Sequence, residues 1–467
     1  MKSIIKYIPS VIIPTIFSII NIFIYGNYLT KDEYGKYNLY NTTISIIDVV
    51  FFSFITLSII RFYFELKSSE EKDRLISTYM VTILIIMCIL SILGWTILGY
   101  EAIYLIIGCF GFSMFSFYSN LLRAENNVRL FTSTKIIIPL SGIFILLYYI
   151  NTKGKLDISN IIISTYFPYI FVNIGLTIKY LYDKRIKLLW DYNLIKSTLK
   201  FGSPLLVVGL LNLILSSSDK YFIKFFLGDS QLGSYSFAYR ISELSMLNVT
   251  HIIIIALYPE VVKAYESYGK KQAEVLMKKF IHIHLIFIIP LIFCFFLFSS
   301  DILKIFFPQY IGSEFIIKLV SIGTFFYSIS FYTNKAFEVG KNTKKMMFAL
   351  LISVIINILL NWILIPRIGV LGAIYSTIIS YFLYIILSMT ISKDIFRILF
   401  DEKYVFYILI LNIIIYFLIL VIRKAFYHQN ILTLIAQGIL YFVLYIIGIY
   451  ILIRVKKINI FINKELV

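Results

Sequence analysis

Charge is scarce in this chain. Of its 467 residues only 15% are Asp, Glu, Lys or Arg, where a soluble domain carries about a quarter. With 60% hydrophobic residues and a mean hydropathy of +0.88, a soluble globular body is excluded. Cysteine is nearly absent. Cys88, Cys109 and Cys294 each lie inside an apolar run without metal-site spacing, so they are read as packing residues that do not report the redox compartment. Histidine is equally sparse. His282 and His284 are two apart and point to different faces of a helix, a poor metal pair; His251 and His428 are isolated, and all four are expected to be structural or interfacial. No Gly-rich loop ends in Lys-Ser/Thr, which argues against an ATP-driven pump. No catalytic constellation appears, so the chain is expected not to be an enzyme and to need no cofactor.

What the chain has instead is fourteen apolar runs, separated by short polar breaks that hold most of the charge. Runs of about 20 residues span a bilayer as helices. They do not alternate apolar with polar, so a membrane β-barrel is excluded. The expected fold is an all-α polytopic membrane protein with fourteen transmembrane helices. The net charge of +18 would suggest nucleic acid in a soluble protein; here the basic residues sit at helix ends and report topology. Counted along alternate breaks, 30 Lys and Arg fall on one side and 8 on the other, so both termini are expected to be cytoplasmic. Lys2 and Lys6 precede the first run, no small-residue cleavage site follows, and an uncleaved first span is expected.

One short break organises the rest. Leu227–Tyr235 (LGDSQLGSY) has a near twin 198 positions earlier at Leu29–Tyr37 (LTKDEYGKY). Both read Leu, five residues, Gly, one residue, Tyr, and each follows the first run of its half. Arg123–Arg129 (RAENNVR) and Lys335–Lys341 (KAFEVGK) form a second match at offset 212. Self-similarity in the same order points to a duplicated unit. Six runs separate the twins, so both halves have the same topology, with a substrate path expected between them. The expected organisation is a six-helix lobe over 1–178, a cytoplasmic connecting loop over 179–201 and a second six-helix lobe over 202–391. Residues 392–467 add two transmembrane helices, an appendage to the duplication, and a cytoplasmic tail.

The chemistry-bearing residues are charges inside spans, each costing about 2.5–3.5 kcal/mol at mid-membrane unless a partner or water accommodates it. Asp48, near the middle of the second run, has no charged neighbour within a turn on its own helix. Arg61 and Glu65 lie at the inner end of that run. Asp219, Lys220 and Lys224 close the seventh. Arg240 and Glu243, three apart on one helix face, are either a self-satisfied pair or ligands; Glu314 and Lys318, four apart, pose the same choice. Lys135 and Lys224 are near run ends and can snorkel. Asp48, Arg61, Asp219, Lys220, Arg240, Glu243 and Lys318 are therefore the candidate residues of a substrate-binding cavity. With the polar groups Asn21, Asn27, Asn41–Thr43 and Ser216–Ser218, such a path suits an anionic head group such as a diphosphate. Pro9, Pro14, Pro139, Pro168, Pro204 and Pro290 inside spans either supply bends or are simply tolerated.

Leu360–Thr377 (LNWILIPRIGVLGAIYST) is similar to a turn between late spans of polysaccharide exporters, through Asn361, Pro366, Gly369, Gly372 and Ala373. LTKDEYGKYNLY and SSSDKYFIKFFLGDSQLGSYSFAYR resemble two further regions of the same proteins. On these residues the chain resembles the O-antigen and polysaccharide flippases of the multidrug/oligosaccharidyl-lipid/polysaccharide exporter superfamily. The resemblance implies two six-helix lobes in a V around a central cavity, plus two extra C-terminal helices. It implies translocation of an undecaprenyl-diphosphate-linked oligosaccharide from the cytoplasmic to the outer leaflet of the bacterial inner membrane, with an H+ or Na+ gradient as driver. A cationic cavity in such a protein would be carried here by Arg61, Lys220, Arg240 and Lys318. The polysaccharide polymerase and chain-length machinery are the implied partners. The competing readings are a peptidoglycan-precursor flippase, a multidrug exporter, for which the in-span charges lean too positive, and a membrane glycan polymerase. The last is opposed by outside breaks no longer than about a dozen residues.

Overall fold

The computed structural model describes residues 9–187, 189–425 and 430–455. Lys2, Lys6, His428 and the residues after 455 lie outside these. Among the described residues there is no strand, and fifteen α-helices run in chain order. They are α1 Pro9–Tyr28, α2 Lys31–Phe51, α3 Ser53–Glu65, α4 Ser69–Leu98, α5 Ala102–Ala124, α6 Val128–Lys153, α7 Ile158–Tyr182 and α8 Tyr192–Leu227. There follow α9 Asp229–Tyr268, α10 Lys270–Phe306, α11 Glu314–Val339, α12 Thr343–Ile368, α13 Val370–Ser392, α14 Glu402–Ala425 and α15 Ile431–Arg454. The apolar runs dictate this outcome, because a backbone in hydrocarbon must bond to itself.

Among the described residues, eleven helical stretches are long and apolar enough to cross a membrane. One of them, Ser69–Ala124, is α4 and α5 together, and these pack on each other across the 3-10 turn Gly99–Glu101. The second expected span is a bent pair. α2 and α3 meet at 51° around Phe52, which is fully buried with φ −124 and ψ −22. No proline causes the bend. The Ser53 hydroxyl bonds the Val49 carbonyl at 2.5 Å, a back-bond that competes with the helix ladder and bends it.

Helix extents differ from the apolar runs where the helices turn amphipathic. The break over 259–279 is helical on both sides of Gly269, whose φ of +83 only glycine adopts freely. Residues 179–201, expected as a loop, are helical up to Tyr182 and again from Tyr192. The hairpin of α12 and α13 explains the Asn-Pro-Gly-Gly-Ala pattern. Asn361 is fully buried and donates to Asn357 at 3.0 Å. Gly369 turns the chain with φ +63. A Cβ on Gly372 would lie 2.5 Å from the Leu364 carbonyl carbon, so the helices close only over glycine.

The chain forms two compact units, one ending at Gly233 and the other starting at Ser234. α8 therefore packs within the first unit, against α2 and α3. The core of the first unit is built on Phe52, Ile55, Tyr79, Phe117, Tyr118 and Leu121; that of the second on Leu257, Met277, Ile281, Tyr332, Tyr404 and Tyr441.

The last two helices, extra to the duplication, are integrated into the second unit. α14 and α15 share the core of the second unit and pack on α10. Tyr404 donates to the His282 carbonyl at 3.0 Å and stacks on the His282 ring at 3.9 Å. Tyr445 donates to the Ile286 carbonyl at 2.7 Å. At the other end, Arg423 on α14 bonds the Leu297 carbonyl at 2.7 Å and pairs with Asp301 on α10. Both side chains are largely buried, at 16% and 7% exposure. Removing one partner of such a pair strands the other charge, at a cost of about 3–5 kcal/mol. Arg423→Met should therefore lower the thermal midpoint of the purified protein sharply, and adding Asp301→Leu should recover most of the loss. A single variant as stable as the native chain would show that the pair does not hold α14.

Candidate functional site

The seven candidate residues divide between the units. Asp48, Arg61, Asp219 and Lys220 belong to the first; Arg240, Glu243 and Lys318 belong to the second.

Asp48 lies on the last turn of α2, one turn before the bend, and is 9% exposed. Its backbone carbonyl takes the Phe52 N–H at 2.9 Å. The groups beside its carboxyl are Ser113 and Cys109 of α5. No cation pairs with it among the described residues, and Oδ1 has no hydrogen-bond partner there. Sequence spacing required accommodation from outside the helix; α5 supplies a hydroxyl and a thiol, not a charge.

Lys220 of α8 is brought to the polar cluster of α2. Its Nζ lies 3.4 Å from Thr42 Oγ1, and Tyr221 and Thr43 share a hydrogen bond of 2.7 Å. The neighbouring Asp219 is buried, and its Oδ1 accepts the Lys220 backbone N–H at 2.8 Å. Arg61 is half-exposed on α3. It pairs with Glu65 at 2.8 Å, and its guanidinium sits 4.3 Å over the Phe201 ring.

In the second unit, Arg240 and Glu243 lie within one turn of α9 with a closest N–O distance of 3.8 Å. That is a loose pair, since a charge-assisted hydrogen bond is about 2.7–2.9 Å. The Glu243 charge also reaches Tyr327 of α11, which stacks on Tyr381 at 4.9 Å. Lys318 is half-buried on α11. Glu314 does not serve it: that carboxylate accepts the Gly312 N–H at 2.8 Å, closing the start of its own helix. Lys224 is tied to Asp229 instead of snorkelling. Lys135 lies 5.1 Å over Phe115 and 5.9 Å over Phe131.

One polar centre escaped the sequence reading, which counted Arg185 only as a topology charge. Between α7 and α8, Arg185 donates to Asp73 at 2.9 Å, to Glu125, and to Tyr63 at 3.4 Å. Tyr180 adds a bond to Glu125 at 2.6 Å, and the Lys187 N–H donates to Ser77 at 2.9 Å. Burial alone would loosen the Arg185 proton; the hydrogen bond it donates to Asp73 and the charge of Glu125 outweigh it and raise the guanidinium above its ordinary value. The connection is thus pinned to the start of α4 and the end of α5. Glu125 inside the repeated RAENNVR stretch was the available signal. No group of three or more His, Cys, Asp or Glu able to hold a metal occurs among the described residues.

Comparison with known proteins identifies the class. The fold matches the lipid II flippase MurJ in an inward closed conformation with a TM-score of 0.79, covering 97% of this chain and 99% of that one at 16% identity. It matches an inward-facing multidrug resistance MATE family transporter of the MOP superfamily with a TM-score of 0.65, covering 83% of this chain and 98% of that one at 13% identity. By sequence, an uncharacterized membrane protein of Methanocaldococcus jannaschii is 25% identical over 371 residues, which is 76% of this chain and 70% of that protein. A probable low-salt glycan biosynthesis flippase of Haloferax volcanii is 24% identical over 209 residues, covering 42% of this chain and 44% of that protein. The fold is therefore the one shared by the lipid II flippase and by the MATE transporter structures. The MatE family also matches residues 204–363. The family described as polysaccharide biosynthesis protein matches residues 1–265, more than half of the chain, and the chain belongs to that family.

Proposed function

We propose that this protein moves an undecaprenyl-diphosphate-linked oligosaccharide, the repeat unit of a surface polysaccharide such as O-antigen or capsule, from the cytoplasmic to the outer leaflet. The observation that carries this reading is the match to the polysaccharide biosynthesis family over residues 1–265. The Haloferax relative, whose name describes a flippase of glycan biosynthesis, supports it. In this reading the protein sits in the inner membrane with both termini cytoplasmic and works by alternating access. Arg240 is the cation that holds the diphosphate, through its planar fork of donors. An H+ or Na+ gradient drives the cycle, and Asp48 is the carboxylate that takes the coupling ion. A polymerase and chain-length machinery receive the product.

The test is a flipping assay in proteoliposomes with three fluorescent probes: a polyprenyl-diphosphate oligosaccharide, lipid II and a lipophilic cation. The expected result is transfer of the first, accelerated by an imposed ion gradient. Transfer of lipid II without the oligosaccharide would favour the peptidoglycan-precursor reading, and transfer of the cation alone the multidrug reading; either overturns the proposal.

A further inference from the structure

The connection between α7 and α8 lies within the first unit and is fastened along α4. Besides the bonds of Arg185, the Trp190 Nε1–H donates to Thr82 at 3.0 Å, Asp191 pairs with Arg74 at 3.0 Å, and Thr198 shares a hydrogen bond of 2.8 Å with Tyr79. In the first turns of α8, Ile195, Thr198 and Gly202 are buried. The rest of the segment is bare. Lys184, Lys187, Lys196 and Lys200 are exposed, and none of them forms an ion pair among the described residues. The carboxylates nearby are already taken: Asp183 by Lys179 at 2.7 Å, Asp191 by Arg74, and Asp73 and Glu125 by Arg185. Between the lysines the chain exposes large apolar side chains, Leu189, Trp190, Tyr192 and Leu199. Trp190 keeps 52% of its surface open even though its N–H is bonded.

We propose that the segment over 184–200 is a docking surface for anionic phospholipids, with its lysines on the headgroup phosphates and its apolar side chains in the outermost acyl layer. A row of lysines alone marks only the basic side of a membrane protein. The interleaved apolar groups carry the inference further. Water gives no reason for Leu189, Trp190, Tyr192 and Leu199 to stay exposed together. The boundary between headgroups and acyl chains takes aromatic rings and lysine stems at one depth. Position supplies the membrane. The segment joins two helices long and apolar enough to span it, α7 ending at Tyr182 and α8 running on to Leu227, so it stays at the bilayer surface. Only the orientation of the chain is taken from the function proposed above: on it the segment meets the cytoplasmic leaflet, which is the anionic one. An acidic protein would satisfy the lysines, but it would have to displace lipid that the two flanking spans already hold beside them. The fastening to α4 favours docking as well. The backbone is in place before any lipid arrives, so little of its freedom is lost on binding.

Trp190 is the reporter for the test. The other two tryptophans, both exposed, are removed as Trp95→Phe and Trp362→Phe, and the full chain is reconstituted in vesicles of phosphatidylcholine and phosphatidylglycerol. Bromine on an acyl chain quenches indole fluorescence on contact, so quenching counts whichever lipid carries the bromine. Brominated phosphatidylglycerol should quench Trp190 with a preference of about threefold or more over brominated phosphatidylcholine at equal mole fraction, because lysines near the surface attract anionic lipid. A chain that keeps only Trp95, at the far end of α4 beside a break without Lys or Arg, should be quenched equally by both. Lys184→Gln, Lys187→Gln, Lys196→Gln and Lys200→Gln together should erase the preference at Trp190, and the same four positions changed as Lys184→Arg should keep it. Salt at about 1 M, where the Debye length is about 3 Å against about 10 Å at 0.1 M, should erase most of it too. That arm uses the native lysines and decides the matter if the Gln variant fails to insert. Equal quenching of Trp190 by the two lipids at low salt would overturn the proposal, as would a preference that survives the Gln changes or the salt. Trp190 quenched by neither lipid would also overturn it and would point to a protein partner on this face. The measurement needs no substrate and no gradient, so its failure is distinct from failure of the flipping assay.

Discussion

Asp48→Asn should yield a folded, membrane-inserted protein whose flipping no longer responds to an ion gradient, with gradient-driven transfer down about tenfold or more, a loss of about 1.4 kcal/mol or more in driving. The reasoning starts from cost. A carboxylate in a span carries an insertion penalty of about 2.5–3.5 kcal/mol, and Asp48 is 9% exposed with no cation beside it among the described residues. A residue needed only for packing at this point has no use for that charge. Asn keeps the size while removing the charge, so its thermal midpoint should equal or exceed the native one. The position adds weight, because Asp48 precedes the 51° break between α2 and α3 by one turn. Neutralising and recharging a buried group there changes the solvation of the bend itself. Asp48→Glu, with the charge displaced by one methylene, should recover part of the gradient response. Flipping in proteoliposomes with and without an imposed H+ or Na+ gradient reads both variants. An Asp48→Asn protein that still accelerates fully under the gradient removes the carboxylate from the coupling.

What the sequence revealed and what it hid follow from the range of the forces involved. The spans were legible because each apolar run is a local property long enough to fix a helix in lipid. The bend at Phe52 was not, since it depends on a serine back-bond and a buried ring, with no proline to announce it. The helix through 259–268 and 270–279 was hidden because its charged residues read as loop, although charge on an exposed helix face costs nothing. Docking of α14 depends on Arg423 meeting Asp301, a pair set by tertiary packing between residues 122 positions apart.

The candidate site shows the same division. Spacing pairs Arg240 with Glu243, and the structure has them 3.8 Å apart. The same spacing logic fails for Glu314 and Lys318, because a helix start exposes unpaired N–H groups that compete for the carboxylate, and Gly312 wins it. Lys220 meeting Thr42 across 178 residues was beyond any spacing rule. The duplicated glycines were visible as a repeat, but only coordinates show that each one fits against the other repeat's first residue.

Arg240→Ala should abolish or cripple surface polysaccharide while the protein still inserts, and Arg240→Lys should rescue only partly. A planar guanidinium holds phosphate oxygens at two points, whereas an ammonium acts as a point charge. Losing a phosphate-bonded cation costs about 1.5–3 kcal/mol, roughly a ten- to hundredfold loss of affinity at about 1.4 kcal/mol per tenfold. The structure sharpens the rival reading, in which Arg240 is only the structural partner of Glu243. Their separation of 3.8 Å, with side chains 44% and 29% exposed, is that of a loose ion pair. Partly exposed pairs of this kind contribute about 0–1 kcal/mol, too little for Arg240→Ala to unfold the unit. If pairing were the whole role, exchanging the two residues would restore function, because the pair survives the swap. If Arg240 holds a diphosphate, the exchange should fail, since it moves the cation about one helical turn and leaves a carboxylate in its place. Glu243→Gln separates the cases further: it should leave substantial glycan export on the diphosphate reading and mimic Arg240→Ala on the pairing reading. Surface glycan in the single variants and the exchange, with protein levels matched, distinguishes the two. Full glycan in the exchanged protein would remove Arg240 from substrate binding.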